Sequence, residues 1–206
     1  MGTRKILGKA SSINVRKVLW TCSELDLSYE REDWGSGFQS THSPQFLQLN
    51  PNAQVPVLID DAGALWESNT ICRYLAHHSH LLPSEPHARA RVEQWMDWQA
   101  TELNPAWSYA FAARVRQSPE YQDPQRISAS IQGWNSKMAI FEQQLAATGA
   151  YVTGAHFSLA DIVLGLSVNR WLMTPMTRPD YPAVMAYYQR LGQRPGFRLH
   201  GCNGIP

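Results

Sequence analysis

The sequence is short of cysteine, has no long apolar run and carries no excess of charge of either sign. Its three cysteines are widely separated, which argues against a disulfide framework and against a cysteine-bound zinc site, and favours the cytoplasm, a reducing compartment. Because 18 Lys and Arg residues nearly balance 17 Asp and Glu residues, we expect neither a nucleic-acid partner nor a charged membrane-surface patch. The apolar stretches are far shorter than a membrane span, and the first residues lack the apolar region of a secretory signal.

Residues 1–80 alternate between short apolar runs and helical patterns, which predicts an α/β domain with the element order βαβαββα. Strands are predicted at residues 4–8, 27–32, 55–59 and 64–66, with helices after residue 12, after residue 43 and over residues 68–78. Residues 81–87 contain prolines and no periodicity, so they predict a linker.

Helical patterns dominate after the linker, which predicts an all-α domain over residues 88–206. Helices are predicted over residues 87–116, 124–147 and 182–191, with an irregular tail after residue 196. Ser158 and Asp161 have the spacing of a capping box at the start of a further helix, with Phe157 and Ile162 at the hydrophobic-staple positions. We expect the two domains to bury separate cores and to form a ligand cleft between them.

A first candidate site lies at Val55-Pro56, where an irregular polar segment enters a short apolar strand. Proline cannot donate a hydrogen bond to a sheet, so at a strand start it leaves the preceding backbone exposed. If the bond is cis, the Val55 N–H and C=O turn outward and can pair with an extended peptide. The alternative is an ordinary trans proline that opens an edge strand.

Glu67-Ser68 forms a second candidate site, at the point where a strand passes into a helix. Ser68 is predicted to cap that helix, whose first N–H groups can bind a carboxylate, and Glu67 can pair with a ligand ammonium group. The alternative is that Ser68 only caps the helix and that Glu67 is a surface charge.

Ser11 and Ser12 form a third candidate site, directly after the first strand and at the start of the first helix. A helix N-terminus stabilises an anion through its dipole and its free N–H groups. A thiol held there ionises more readily, and a serine hydroxyl can donate to the thiolate. Ser12 is the first candidate, Ser11 the second and Asn14 a helper, and plain capping by Ser12 is the alternative.

Trp107, Tyr109 and Phe111 lie on the first long predicted helix, where they can form a pocket for a flat apolar molecule; ordinary core packing is the alternative. His77 and His78 lie at the predicted end of a helix, where histidine is favourable on dipole grounds alone. Because no Cys or carboxylate stands at ligand spacing, no metal is expected.

In combination, these motifs resemble the cytosolic glutathione S-transferases, specifically the bacterial theta-like or nu-like type with a serine-type N-terminal motif. The resemblance covers nearly the whole chain. It rests on Ser11-Ser12 with Arg16, Asn50-Pro51 with Val55-Pro56, Glu67-Ser68, Ser158-Leu159-Ala160-Asp161, Tyr181-Pro182 and Arg194-Pro195. No Tyr precedes Tyr29 and residues 10–14 contain no Cys, so the sequence departs from the tyrosine-type and cysteine-type classes.

The resemblance implies a thioredoxin-like N-terminal domain, a cytoplasmic homodimer and glutathione as co-substrate, with no metal. It also implies a cis Val55-Pro56 bond. The implied glutathione contacts are Val55 and Pro56 for the cysteinyl part, Glu67 and Ser68 for the γ-glutamyl end, and Gln54, Gln39 and Phe38 for the glycyl end.

The implied activity is attack of an enzyme-stabilised glutathione thiolate on a small apolar electrophile bound against the helical half. Two alternatives stay open: glutathione-dependent disulfide reduction or isomerisation, and a non-catalytic transferase-like binding module. The presence of both Val55-Pro56 and Glu67-Ser68 argues against the module, because such modules often lose those residues.

Overall fold

The computed structural model describes residues 4–206, and their first half forms a four-stranded mixed sheet in the strand order β2-β1-β3-β4. The strands are β1 Lys5–Leu7, β2 Glu30–Glu32, β3 Val57–Asp60 and β4 Gly63–Trp66. β1 pairs with β2 in parallel and with β3 antiparallel, and β3 forms a hairpin with β4.

Helices flank the sheet and form the second half of the chain. They are α1 Ile13–Glu24, α2 Pro44–Leu49, α3 Ser68–Leu75, α4 Pro86–Trp98, α5 Asn104–Arg114, α6 Pro124–Thr148, α7 Leu159–Met173, α8 Pro182–Leu191 and α9 Pro195–His200. A π-helical turn, Gln99–Leu103, joins α4 to α5 without a break. The predicted fold class and the predicted order βαβαββα are confirmed.

The structure corrects three of the predicted elements. The strand predicted over residues 27–32 covers only Glu30–Glu32, and the helix predicted over residues 68–78 ends at Leu75. The tail predicted to be irregular contains α9. Helix α9 is stabilised by Phe197, which is fully buried with its ring centroid 5.0 Å from that of Trp20.

The expectation of separate cores is wrong, because one cluster of buried side chains extends through both halves of the described chain. Helix α1 causes this continuity, since it packs against α3 in its own half and against α7 and α9 in the other. Its Trp20 is fully buried and contacts both Phe157 and Phe197. A second, smaller cluster of Leu7, Trp34, Phe46 and Val57 is also buried.

The predicted capping box at the start of α7 is present. Asp161 accepts hydrogen bonds from the Ser158 N–H at 2.8 Å and the Ser158 hydroxyl at 3.0 Å, and from the Val152 N–H at 2.9 Å. Phe157 and Ile162, at the predicted staple positions, are both buried. Burial raises the pKa of Asp161 to about 6, although its hydrogen bonds favour the ionised form.

Across residues 4–206, no helix combines the length and the apolar character that crossing a membrane requires.

Candidate functional site

A cleft of about 800 Å³ lies between the start of α1 and the helices α5 and α7. Ser11, Ser12 and Val55 line it on the side of the sheet, while Trp107 and Phe111 line it on the side of the helical half. The cleft therefore brings together residues from the first and third predicted sites with two of the three predicted aromatic residues.

An adjoining hollow of about 340 Å³ continues the cleft towards α3. Asn14, Gln54 and Val55 line both spaces, and Glu67 and Ser68 line the far end of the hollow. The two spaces together form a groove from the start of α1 to the start of α3, so the structure places all three predicted sites along one surface.

Gly8 determines how closely the α1 start approaches the Val55 segment. Its φ of +148° is a backbone conformation that side-chain-bearing residues rarely adopt. A Cβ at this position would lie 2.5 Å from Val15 Cγ2 and 3.1 Å from Val55 Cβ. A side chain at residue 8 would therefore clash with both segments where they are now placed.

Ser12 occupies the N-cap position of α1, but its side chain makes no capping hydrogen bond. Its backbone N–H donates to Lys9 O at 3.1 Å. The first turn of α1 contains no acidic residue, so no carboxylate of α1 occupies the positive end of the helix dipole. The sequence predicts that the Ser12 hydroxyl caps α1, but the hydroxyl makes no such bond. It is therefore available to bind a group in the cleft.

The bond between Val55 and Pro56 is cis, as the resemblance implied, and the alternative of a trans proline is wrong. The loop before it is supported by Asn50, whose side-chain Nδ2 donates to Gln54 O at 2.8 Å. Asn50 is 2% exposed, so this loop is anchored from inside the protein.

The N-cap of α3 is Glu67 and not Ser68, which corrects the predicted capping role. The Glu67 side chain accepts from the Asn69 N–H at 3.3 Å, and its φ is +73°. Non-glycine residues in this backbone region are concentrated at functional sites, where the surrounding structure compensates for their strain. Ser68 is the first residue of the helix and is buried at the edge of the hollow.

A buried polar network supports the start of α3 from behind. Lys17 Nζ donates to Asn69 Oδ1 at 3.2 Å and to Gln99 Oε1 at 3.1 Å. Gln99 Nε2 in turn donates to Asn104 Oδ1 at 2.8 Å, and Asn104 lines the cleft. Burial lowers the pKa of Lys17 to about 8, because the ammonium group has lost its water.

Two of the other predicted site residues lie outside the groove. Tyr109 does not line the cleft but contacts Tyr121, with ring centroids 5.0 Å apart. Gln39 is also absent from the lining, and its Nε2 donates to Glu32 Oε1 at 2.9 Å. Phe38, by contrast, lines the cleft and is 57% exposed.

The sequence prediction missed Arg116, Arg170 and the tail residues Ile205 and Pro206, all of which line the cleft. The guanidinium of Arg16 donates to Ile205 O at 2.8 Å and to Pro206 O at 2.7 Å, which seats the tail beside the groove. Arg170 is the single cationic residue in the largely apolar sequence of α7, and that position was a signal in the sequence.

The described residues contain no cluster of potential metal ligands, and two of the three cysteines are buried. Within residues 4–206, no group of three or more His, Cys, Asp or Glu side chains is placed to hold a metal ion. Cys22 and Cys72 are buried, and desolvation raises the pKa of the Cys22 thiol to about 12 and that of Cys72 to about 11. Both thiols therefore remain protonated at neutral pH.

Two family profiles match the chain. One, described as the N-terminal domain of glutathione S-transferase, matches residues 3–77, and the other, its C-terminal domain, matches residues 124–190. The chain is 36% identical over 196 residues to "Glutathione S-transferase GstB" of Escherichia coli strain K12, covering 93% of this chain and 94% of that protein. It is 28% identical over 202 residues to "Disulfide-bond oxidoreductase YfcG" of the same strain, covering 90% and 89%.

Among solved structures, the chain is similar to a theta class glutathione S-transferase from the citrus canker pathogen Xanthomonas axonopodis pv. citri, crystallised with glutathione bound. The TM-score is 0.89 at 36% sequence identity, and the match covers 97% of both chains.

Proposed function

Because the chain belongs to the glutathione S-transferase family, we propose that it binds glutathione along the groove and joins it, through its sulfur, to a small electrophile. In this arrangement the sulfur lies at the start of α1 and the electrophile lies against Trp107 and Phe111. The observation that carries the proposal is the Ser12 hydroxyl, which makes no capping bond and faces the same cleft as Val55.

The two ends of the groove suit the two ends of a tripeptide. Val55 offers its main-chain N–H and C=O to the cysteinyl part in the manner of a neighbouring strand. Ser68 and its N–H at the start of α3 can bind the α-carboxylate of the γ-glutamyl end, and the exposed Glu67 can pair with its ammonium group. Gln54 and Phe38 lie near the position of the glycyl end.

Catalysis in this proposal consists of ionising the thiol and positioning it. The free N–H groups and the dipole of α1 favour the thiolate, and the Ser12 hydroxyl donates a hydrogen bond to it. The thiolate then forms a bond to the electrophilic carbon while the leaving group departs with its electron pair. No covalent bond to the protein is needed, since the cleft holds both reactants in place.

Replacing Ser12 tests this mechanism, with Ser11 as its matched neighbour. Ser12→Ala should raise the pKa of the bound glutathione thiol towards that of a free thiol, about 8.5. The readout is the thiolate absorbance of the complex against pH, together with kcat for conjugation of 1-chloro-2,4-dinitrobenzene. Ser11→Ala should change both far less, because Ser11 is exposed and precedes the N-cap. An unchanged thiol pKa in Ser12→Ala would contradict the assigned role of Ser12.

Disulfide reduction is a second candidate, favoured by the similarity to the oxidoreductase YfcG. In that reaction the thiolate of one glutathione attacks a disulfide, which forms a mixed disulfide and expels one thiolate of the substrate. The thiolate of a second glutathione then attacks the glutathione sulfur of the mixed disulfide, which forms glutathione disulfide and expels the other substrate thiolate. Cys22 and Cys72 take no part in it, since both are buried and protonated. Activity on bis(2-hydroxyethyl) disulfide that survives replacement of all three cysteines, without conjugation activity, would favour this candidate.

The third candidate is a non-catalytic binding module, and a substitution of Glu67 tests whether the groove binds glutathione at all. Glu67→Gln should weaken glutathione binding measured by calorimetry, because the charge opposite the ligand ammonium is lost. A protein that binds no glutathione at millimolar concentration would refute the proposed function.

We also propose that the protein is a homodimer in the cytoplasm. Analytical ultracentrifugation tests the homodimer directly.

A further inference from the structure

The side chains that line the cleft include several cations. They are Lys9, Arg116 and Arg170, and none of the described residues that line the cleft is Asp or Glu. Among the ion pairs formed by residues 4–206, none includes Arg16, Arg116 or Arg170. Cationic side chains without an Asp or Glu side chain beside them attract anions.

Arg170 is placed against the aromatic wall of the cleft. Its guanidinium carbon lies 4.1 Å from the centroid of the Phe111 ring and 4.6 Å from that of the Trp107 ring. Arg116 approaches the same Phe111 ring, with 5.4 Å between its guanidinium carbon and the centroid. The cations and the apolar faces therefore belong to one surface.

The hydrogen-bonding capacity of Arg170 is largely unused. The residue is 4% exposed, its Nε has no partner, and its Nη2 donates to Pro206 O at a long 3.4 Å. The neighbouring Arg16 also has a buried Nε without a partner. Desolvation and the charges of Arg16 and Arg116 lower the pKa of Arg170 to about 9, so its charge is held at a cost that an anion would offset.

We propose that the electrophile is a flat molecule bearing a carboxylate, which Arg170 and Arg116 bind while the partly exposed Trp107 contacts its apolar face. This inference rests on the transferase function proposed above and specifies its acceptor. A guanidinium matches a carboxylate in shape and can donate to both of its oxygens.

The carboxylates of glutathione do not explain these cations. Its γ-glutamyl carboxylate is assigned to the start of α3, at the opposite end of the groove. Its glycyl end is assigned near Phe38, where Lys9 is the local cation and donates to Ser36 O at 3.1 Å. Arg116 and Arg170 belong to the helical wall, on the side where the electrophile is placed.

A pair of acceptors with the same chemistry and different charge tests this inference. In both 1-chloro-2,4-dinitrobenzene and 4-chloro-3,5-dinitrobenzoate, the glutathione thiolate forms a C–S bond at the ring carbon that carries chlorine. The C–Cl bond breaks, chloride leaves with the electron pair, and the thiol proton goes to solvent. Each kcat/KM is divided by the rate constant of the uncatalysed reaction of glutathione with the same acceptor.

The variants are Arg116→Gln and Arg116→Glu, with Arg114→Gln as the matched control. Both arginines are exposed near the end of α5, but only Arg116 lines the cleft. We expect Arg116→Gln to lower the normalised kcat/KM for the benzoate by about tenfold, which corresponds to one charge-assisted contact, and Arg116→Glu to lower it further. The neutral acceptor and the KM for glutathione should change by less than about threefold. Arg170→Met should likewise lower the normalised kcat/KM for the benzoate.

Equal normalised rates for the two acceptors in the wild-type protein, or equal losses for both acceptors in Arg116→Glu, would overturn the carboxylate inference and leave the transferase function intact. If neither acceptor is conjugated, the proposed transferase function is wrong. Calorimetry with 3,5-dinitrobenzoate, which lacks the chlorine and cannot react, then tests whether the cleft binds a carboxylate. Binding that Arg116→Glu abolishes and Arg114→Gln retains would support the anion site. Absence of binding to the wild-type protein would overturn it.

Discussion

Gly8→Ala is predicted to damage both stability and glutathione binding, because it adds one carbon atom where α1 and the Val55 segment meet. The new Cβ would lie 2.5 Å from Val15 Cγ2 and 3.1 Å from Val55 Cβ. Neither neighbour can move freely, since Val15 is fully buried and Val55 is packed against the core. The substitution therefore has to widen the groove or displace the start of α1.

The expected loss of stability has two parts. Alanine at a φ of +148° has to adopt a rarely populated backbone conformation, at a cost of about 1–3 kcal/mol. Overpacking against Val15 and Val55 adds about 1–3 kcal/mol. Gly63→Ala is the matched control, because Gly63 has a φ of +119° and open space around the added Cβ. Subtracting the two losses isolates the overpacking part.

Urea denaturation measures the stability of both variants, and steady-state kinetics measure the KM for glutathione. Gly8→Ala should raise this KM well above the wild-type value, because the Val55 main chain and the Ser12 hydroxyl would be displaced relative to each other. Gly63→Ala should leave it unchanged. In a Val15→Ala background, where the closest contact is absent, Gly8→Ala should cost less than it does alone. Equal losses of stability in Gly8→Ala and Gly63→Ala, with an unchanged KM in both, would refute the reasoning.

Two further predictions concern buried titratable groups. Asp161→Asn should lower the free energy of unfolding by about 1–3 kcal/mol in a urea titration at pH 7, because one amide oxygen cannot replace the two carboxylate oxygens that accept from the Val152 and Ser158 N–H groups, and one of these buried N–H groups loses its partner; a loss under about 0.5 kcal/mol would contradict this role. Burial raises the pKa of Asp161 to about 6, so the stabilisation linked to its protonated form is lost as pH rises through 6, and the Asn variant should lack this slope. Burial and the Arg16 charge lower the pKa of His200 to about 4, so the stabilisation linked to its neutral form is lost as pH falls from about 6.5 towards 4. His200→Gln should reduce this loss of stability at acidic pH, measured as the urea midpoint of unfolding at a series of pH values. An unchanged loss in the variant would show that other groups cause it.

The features that the sequence predicted well depend on short-range chemistry. Val55-Pro56, Glu67-Ser68 and Ser11-Ser12 each combine a special backbone or capping residue with a change of periodicity, and the structure places all three along one groove. Helical phase could also have separated the aromatic residues. Trp107 and Phe111 are four residues apart and share a face of α5, whereas Tyr109 is two residues from each and faces Tyr121.

The features that the sequence could not supply depend on contacts between distant parts of the chain. The hydrogen bonds from Arg16 to Ile205 and Pro206 join α1 to the tail, and no local sequence pattern predicts them. Helix α9 forms because Phe197 packs on Trp20, and that contact exists only once both halves are folded. The N-cap of α3 was assigned to the wrong residue because its position depends on the backbone angles of Glu67, which residue type alone does not determine.

The long buried helix α1 has a thermodynamic consequence. Its first turn faces the groove, while its later residues pack against α7 and α9. Unfolding of the helical half would remove the packing of α7 and α9 against α1, and it would destabilise the first turn of α1, which faces the bound tripeptide. A ligand there should therefore delay heat-induced unfolding of the whole chain in a single calorimetric transition, and residues 4–77 on their own should not form a stable fragment.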